Sequence, residues 1–268
     1  MTDSLYDAAR HCLDAETQDE KIERSRTFVA AFARGDLTMA SDAPPPEPIR
    51  MPGRPARPAL VPARHLPQRG FGSDEGRAAF IHSIAHIEFN AIDLAWDAVY
   101  RFRGIPPGYY ADWVSIANDE ARHFVLLRQR LQQLGYDYGD FDAHNGLWEM
   151  AEQTAHDGLA RMALVPRVLE ARGLDVTPAM IVKLRKLGDD ATADILGLIL
   201  REEIAHVAAG SRWFRWYCTE RGLEPDATFA ALLTDHARGS LRGPFNHEAR
   251  LAAGFSEIEM KQLQALLP

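Results

Sequence analysis

The sequence NDEARHF at residues 118–124 places Glu120 and His123 three positions apart among apolar residues. The sequence REEIAHV at residues 201–207 does the same with Glu203 and His206. At about 100° per residue, each glutamate lies on an apolar helical face and its histidine stands beside it, one turn along. An unpaired charge on such a face is costly. The two motifs therefore predict two helices that direct a carboxylate and an imidazole into a core.

The chain around the two motifs has helical periodicity. Ser73 is a predicted N-cap, and glycines at 135 and 173 are predicted helix ends. Four long helices are predicted at about 73–103, 107–134, 147–172 and 189–221, with a short helix opened by Pro178 before the last. Two short helices are predicted in the tail, at about 226–238 and 256–267. No segment alternates like a strand, so the fold class is predicted to be all-α.

The residues before the first long helix differ in composition. Residues 3–34 are predicted to form two helical pieces, with a capping-box spacing at Thr17 and Glu20. Residues 43–70 contain nine prolines and five arginines but one acid, so they cannot form a helix or a central strand. We expect an extended strap over an acidic body; a tail that binds a polyanion is the alternative. The predicted organisation is a helical arm (1–42), a Pro-rich strap (43–72), a four-helix bundle (73–222) and a helical extension (223–268).

Two further glutamates are predicted to complete a site. Glu88 is a lone acid on an apolar stripe, 32 residues before the Glu of the first motif. In the third helix, Glu152 and Glu170 share one face, and Glu170 precedes the Glu of the second motif by 33 residues. This near-repeat favours Glu170, and Pro166, one turn earlier, indicates a local distortion that can redirect a ligand. Glu152, with His156 four residues on, remains the alternative, because the predicted helix ends soon after Glu170.

Other polar residues of the first long helix are predicted to lie away from this site. His82 lies to one side of the stripe that contains Glu88, and His86, Asn90, Asp93 and Asp97 lie opposite it. We expect the two histidines to be surface or supporting groups rather than metal ligands.

The six selected residues have the chemistry of a metal site. Four carboxylates and two neutral imidazoles carry a charge of −4, which two divalent ions would cancel, whereas an empty site would crowd like charges and raise carboxylate pKa values. Oxygen-rich ligation with two histidines suits iron or manganese better than thiolate-favouring metals. The predicted ligands are Glu88, Glu120, His123, Glu170, Glu203 and His206.

This ligand set resembles that of the ferritin-like di-iron carboxylate proteins. The stretches HIEFNAIDLAWDAVYRF, NDEARHF, ARMALVPRVLEARGLDVTP and REEIAHVAAG resemble, more closely, the bacterial family called domain of unknown function 455, a relative of the tRNA hydroxylase in the same superfamily. The resemblance implies a ferritin-like four-helix bundle and the metal ligands, but no substrate. The arm and the strap depart from classical ferritins and argue against a storage cage.

The site leads to three functional hypotheses. The first is an O₂-dependent di-iron or di-manganese oxidase or hydroxylase of a small molecule, with Glu120 and Glu203 as bridging carboxylates, the other four residues as terminal ligands and an unspecified electron donor. The second is a ferritin-like iron-storage protein. The third is a hydroxylase that modifies tRNA, for which the arginines of the strap are the only support in the sequence.

Composition sets limits on the class of protein. The apolar run at 193–200 is far shorter than the roughly 20 residues of a spanning helix, and the N-terminus lacks an apolar signal segment. Two cysteines in unrelated contexts indicate reduced thiols. A net charge of −8 argues against a general nucleic-acid binder. We therefore expect a cytoplasmic protein that does not enter the membrane.

Overall fold

A computed structural model describes residues 3–40, 43–67, 70–236 and 241–267. In these ranges all regular elements are helical, and extended pairing is limited to two isolated bridges, Ser4 with Thr38 and Leu60 with Ala143. This confirms the all-α class. None of the described helices is both long and apolar enough to cross a membrane. The chain divides into two compact units, residues 1–152 and 153–268.

The first unit contains the arm, the strap and the first two long helices. Ser73 and Thr17 cap their helices as predicted, because each side-chain oxygen accepts a hydrogen bond from the backbone N–H three residues on. Gly135, with a φ of 83°, lies just past the end of the second long helix. The helices are α1 (Leu5–Leu13), α2 (Gln18–Ala33), α3 (Asp74–Arg101), α4 (Pro107–Gln133) and α5 (Gly146–Gln153).

The Pro-rich segment is an extended strap, as predicted. Within residues 43–67 its regular structure is one 3₁₀ turn, Ala63–His65. The Gly53 backbone N–H donates to the carbonyl of Leu13 at 2.6 Å, and that of Val61 donates to the carbonyl of Ala143 at 2.8 Å. The strap is therefore fastened by its backbone to other parts of the first unit.

The arm covers the side of α3 that the sequence predicted to face away from the core. Lys21 on α2 forms a fully buried ion pair with Asp93 on α3. The Trp96 indole N–H donates to Ser25 Oγ on α2 at 2.9 Å. Asp97, from the same side of α3, is also fully buried. The sequence predicts that Asp93 and Asp97 lie opposite the stripe of Glu88, but periodicity within one helix cannot show that a distant arm packs on this side.

The second unit contains the other motif and the C-terminal tail. Its helices are α6 (Gly158–Leu164), α7 (Ala171–Lys186), α8 (Asp190–Glu220), α9 (Pro225–His236), α10 (His247–Ala252) and α11 (Glu257–Ala265). A π-helical segment, Val165–Glu170, joins α6 to α7 without a break. The distortion predicted at Pro166 is thus present. The tail has three described helices where two were predicted, and residues 237 and 238 of the predicted helix 226–238 lie outside the described residues.

The predicted third helix, 147–172, begins where expected, but its continuity and its end were predicted wrongly. The helix that begins near residue 147 ends at Gln153, and a new one begins after the N-cap Asp157. The chain does not leave the helix at Gly173 but continues through Pro178 to Lys186. Proline at 178 cannot donate to the carbonyl of Leu174, four residues earlier. That carbonyl instead accepts a hydrogen bond from the Asn246 side chain at 3.1 Å.

Candidate metal centre

Three predicted ligands meet in the first unit. Glu88 on α3 and the pair Glu120 and His123 on α4 have exposed fractions of 5%, 2% and 0%. His123 Nδ1 lies 3.0 Å from Glu88 Oε2 and 3.5 Å from Glu120 Oε2. One ligand atom from each of the three residues lies within 4.8 Å of the others. We call these three residues the α3–α4 cluster.

The helical hairpin explains why the cluster forms. Residues 102–106 connect α3 to α4, and such a short connection makes the two helices antiparallel neighbours. On α4, Phe124, Leu127 and Leu131 are fully buried and extend the face that contains Glu120. The cluster therefore lies among apolar side chains, where a charged group needs a compensating partner.

Electrostatics within the cluster are dominated by the two carboxylates. Burial by itself lowers the pKa of His123, but hydrogen bonds to Glu120 and Glu88, and the charges of these carboxylates, raise that pKa to about 11. In the metal-free protein at neutral pH, His123 is therefore an imidazolium. The two carboxylates thus stabilise a positive charge at this position.

The donor set fits a transition-metal ion. Ligand atoms placed about 2.1 Å from a metal, at tetrahedral or octahedral angles, are separated by about 3.0 to 3.4 Å. The separations of His123 Nδ1 from Glu88 Oε2 and Glu120 Oε2, 3.0 and 3.5 Å, are of this size. Nδ1 faces both carboxylates, so it is the nitrogen available to a metal ion. The cluster can hold a metal ion with little rearrangement.

The second unit repeats one feature of the cluster. On α8, His206 Nδ1 lies 3.1 Å from Glu203 Oε1, and the two side chains are 3% and 12% exposed. In both motifs, therefore, the same ring nitrogen faces the carboxylate three residues earlier. Both predicted Glu-x-x-His pairs form as expected.

Glu170 and its alternative have different surroundings. Glu170 is the last residue of the π-helical segment and is partly exposed. This segment packs against α8 so closely that a Cβ added to Gly210 would lie 2.4 Å from Pro166 Cγ. Glu152 and His156 are both exposed, and the helix break between α5 and α6 separates Glu152 from the helical face of Glu170. The choice of Glu170 over Glu152 stays a prediction.

The histidines of α3 are buried supports rather than surface groups. His86 Nδ1 lies 2.8 Å from the Tyr138 hydroxyl, and its Nε2 lies 3.0 Å from the carbonyl oxygen of His144. His82 Nε2 accepts a hydrogen bond from the Gly139 backbone N–H at 2.9 Å. Burial lowers the pKa of each histidine to about 4, so both are neutral. They hold the connection between α4 and α5, a role that the spacing within α3 does not reveal.

Comparison with known proteins gives the chain a family. The model of the family described as "Protein of unknown function (DUF455)" matches residues 14–261. The chain belongs to this family. A relative from Haemophilus influenzae, described as "Uncharacterized protein", is 46% identical over 213 residues, which cover 77% of this chain and 74% of the relative. No solved structure matches the chain. The matched range includes both Glu-x-x-His motifs and the residues between them.

Proposed function

We propose that this DUF455 protein is a di-metal carboxylate oxidoreductase of the ferritin-like type, which uses O₂ to oxidise or hydroxylate a small molecule. In this proposal, the six predicted ligands would together hold two iron or manganese ions, with Glu120 and Glu203 as the shared carboxylates. The observation that carries the proposal is the buried contact of His123 Nδ1 with two carboxylates. The proposed ligands are Glu88, Glu120, His123, Glu170, Glu203 and His206.

Helix register in the second unit supports Glu170 as a ligand. The turn at 187–189 makes α7 and α8 antiparallel, and Pro166 lies against Gly210. Four residues after Pro166 is Glu170, and four residues before Gly210 is His206. In antiparallel register, position 170 is therefore level with position 206, which supports the proposal that Glu170 pairs with His206 as Glu88 pairs with His123.

The protein residues have separate tasks in this scheme. Glu88 and Glu120 supply negative charge in a site from which apolar side chains exclude water, so a cation gains more there than at the surface. His123 must lose the Nδ1 proton that the carboxylates otherwise stabilise before this nitrogen can bind a metal. Both glutamates thus determine the proton at Nδ1 as well as the charge of the site.

The metal ions, when bound, would supply the redox chemistry and open coordination positions for O₂. A buried site of this kind suits a small molecule better than a polymer. The exposed arginines of the strap, at positions 50, 57 and 64, are distant in sequence from every proposed ligand and give no specific support for an RNA substrate. An electron donor is required, and its identity is outside the proposal.

Metal loading tests the proposal directly. The full chain is made metal-free, loaded anaerobically with ferrous iron, desalted and assayed for iron per chain. We expect about two ions per chain and, after exposure to O₂, a new near-ultraviolet absorption. Glu88→Gln should lower the iron content, whereas Glu152→Gln, which changes an exposed glutamate, should not. Iron content near zero in the wild type would refute the di-metal proposal.

The same sample separates the alternatives. Iron far above two ions per chain, in a large assembly on size exclusion, would favour storage. Glu170→Gln and Glu152→Gln, compared for loss of the second ion, test the choice of Glu170. If Glu152→Gln alone abolishes binding of the second ion, the assignment of Glu170 is wrong.

A further inference from the structure

A buried guanidinium lies in the π-helical segment, three residues before Glu170. Arg167 is fully buried, and its Cζ lies 4.2 to 4.7 Å from the ring centroids of Phe214, Phe229 and Phe255. Its Nη2 donates to Glu259 Oε2 on α11 at 2.6 Å. The three rings come from α8, α9 and the connection before α11. Arg167 therefore joins the π-helical segment to the C-terminal tail.

Glu259 is fixed from two directions. Its Oε2 also accepts a hydrogen bond from the Ser256 backbone N–H at 2.8 Å, and Ser256 Oγ in turn accepts from the Glu259 backbone N–H at 3.0 Å. This reciprocal capping box fixes the start of α11. The Glu259 carboxylate, which binds Arg167, is consequently held by the N-terminus of α11.

A second buried arginine contacts the π-helical segment and the start of α7. Arg250 on α10 is 2% exposed and binds both carboxylate oxygens of Asp175, at 2.9 and 2.8 Å. It also approaches the carbonyl oxygens of Arg167 and Ala171, at 3.5 and 3.4 Å. These two carbonyls flank Glu170 on either side in the sequence.

Stability alone does not account for two such pairs. A buried ion pair often contributes no more than well-packed apolar side chains of similar volume, because both charges lose their hydration. What a pair with fixed hydrogen bonds does provide is one defined geometry. π-Helical turns occur frequently at functional sites, and this one ends at Glu170.

We propose that the C-terminal tail, residues 246–265, positions Glu170, with Arg167 and Glu259 as the principal positioning pair and Arg250 as the second support. The inference rests on the proposed function, in which Glu170 is a metal ligand. The tail sets the direction of the Glu170 carboxylate by holding the π-helical turn from both sides. Supporting groups of this kind commonly change metal affinity by about 10- to 100-fold.

The test compares two changes in α11. Glu259→Gln removes the charge that binds Arg167, and Leu263→Ala removes a fully buried apolar side chain one turn further on. Each full-length variant is loaded with cobalt(II), and the visible spectrum, the cobalt per chain, the affinity and the melting temperature are measured. We expect Glu259→Gln to weaken binding of one ion by about tenfold or more and to change its spectrum. Leu263→Ala should melt at a lower temperature but keep the wild-type spectrum.

The outcomes separate this inference from the proposed function. A wild type that binds no cobalt and no iron refutes both. A wild type that binds two ions, together with a Glu259→Gln variant of unchanged spectrum and affinity, overturns the positioning role alone. Equal spectral changes in both variants also overturn it, because general loosening of the tail would then suffice. If Glu259→Gln does not fold, Glu259→Asp, which keeps the charge but withdraws the carboxylate, takes its place with the same expected result.

Discussion

The buried pair of Lys21 and Asp93 permits a prediction about how the arm supports α3. The two side chains are 0% and 1% exposed, and Lys21 Nζ also donates to the carbonyl of Cys12 at 3.3 Å. Removing one partner of a buried ion pair costs about 3 to 5 kcal/mol, because the other charge is left without compensation. Lys21→Met, which keeps an unbranched side chain only one heavy atom shorter, should therefore destabilise the protein by about this amount at pH 7.

A double-mutant cycle isolates the interaction. Asp93→Leu alone leaves the Lys21 ammonium buried without its carboxylate and should cost a similar amount. Lys21→Met together with Asp93→Leu replaces the pair with apolar groups and should recover most of the loss, so the double variant should be more stable than either single variant and the two costs should be far from additive. Lys186→Met, at an exposed position, should change the stability by less than about 0.5 kcal/mol.

The pH dependence adds an independent check. Burial raises the pKa of Asp93, and Lys21 opposes this increase. When a carboxyl group has a higher pKa in the folded state than in the unfolded state, the protein loses stability as the pH rises above the unfolded-state pKa. Without Lys21 the folded-state pKa should rise further, so the difference between Lys21→Met and wild type should shrink as pH falls from 7 to 5.

Urea unfolding, followed by circular dichroism and extrapolated linearly, measures these free energies. If each single change costs less than about 1 kcal/mol, or if the costs of the two changes simply add in the double variant, then the pair does not fasten the arm to α3.

Three further predictions concern the two units and the metal. Because burial lowers the pKa of His82 to about 4, folding stability should fall as pH drops from about 6.5 toward 4, by up to roughly 3 kcal/mol; His82→Gln should flatten this pH slope in acid-induced unfolding, and an unchanged slope would contradict the assignment. Gly210→Ala should cost about 1 to 3 kcal/mol in urea unfolding, since the new Cβ would meet Pro166 at 2.4 Å; an unchanged midpoint would show that the contact is not tight. Metal loading should stabilise the protein by about 2.7 kcal/mol at a free metal concentration 100 times Kd, seen as a higher melting temperature than that of chelated protein; identical melting curves would argue against a bound ion.

The helices that carry Glu88, Glu120 and Glu203 could be predicted because their signals are local. The polar cap at Ser73 and the glycine of positive φ at 135 each lie next to the helix end that they mark. The signal for Glu88, a lone acid on an apolar stripe, is also contained within one helix. Spacing therefore identifies Glu88 and both Glu-x-x-His pairs as candidates.

The prediction of the third helix failed because Gly173 and Pro178, taken by themselves, both suggest a helix boundary that the structure does not have. Gly173 does not adopt a positive φ in the described structure, whereas Gly188, with a φ of 76°, marks the actual end. A helix can pass through Pro178 only if another group satisfies the carbonyl of Leu174. Asn246 supplies that group from 72 residues away in the sequence. No pattern within residues 147–188 contains this information.

The same dependence on distant residues explains why the environment of Glu170 could not be predicted. Spacing relative to Glu203 identified the residue, and Pro166 indicated that its helix is distorted. The form of the distortion is determined elsewhere, by Glu259 and by Arg250, which lie 80 to 89 residues further along the chain than Glu170. Sequence periodicity can therefore identify which residue is a candidate ligand, whereas the direction of its carboxylate depends on a tail whose own helices have no visible relation to the site. A substitution in that tail that leaves every proposed ligand intact should consequently alter metal binding, and ligand motifs alone would give no reason to expect this.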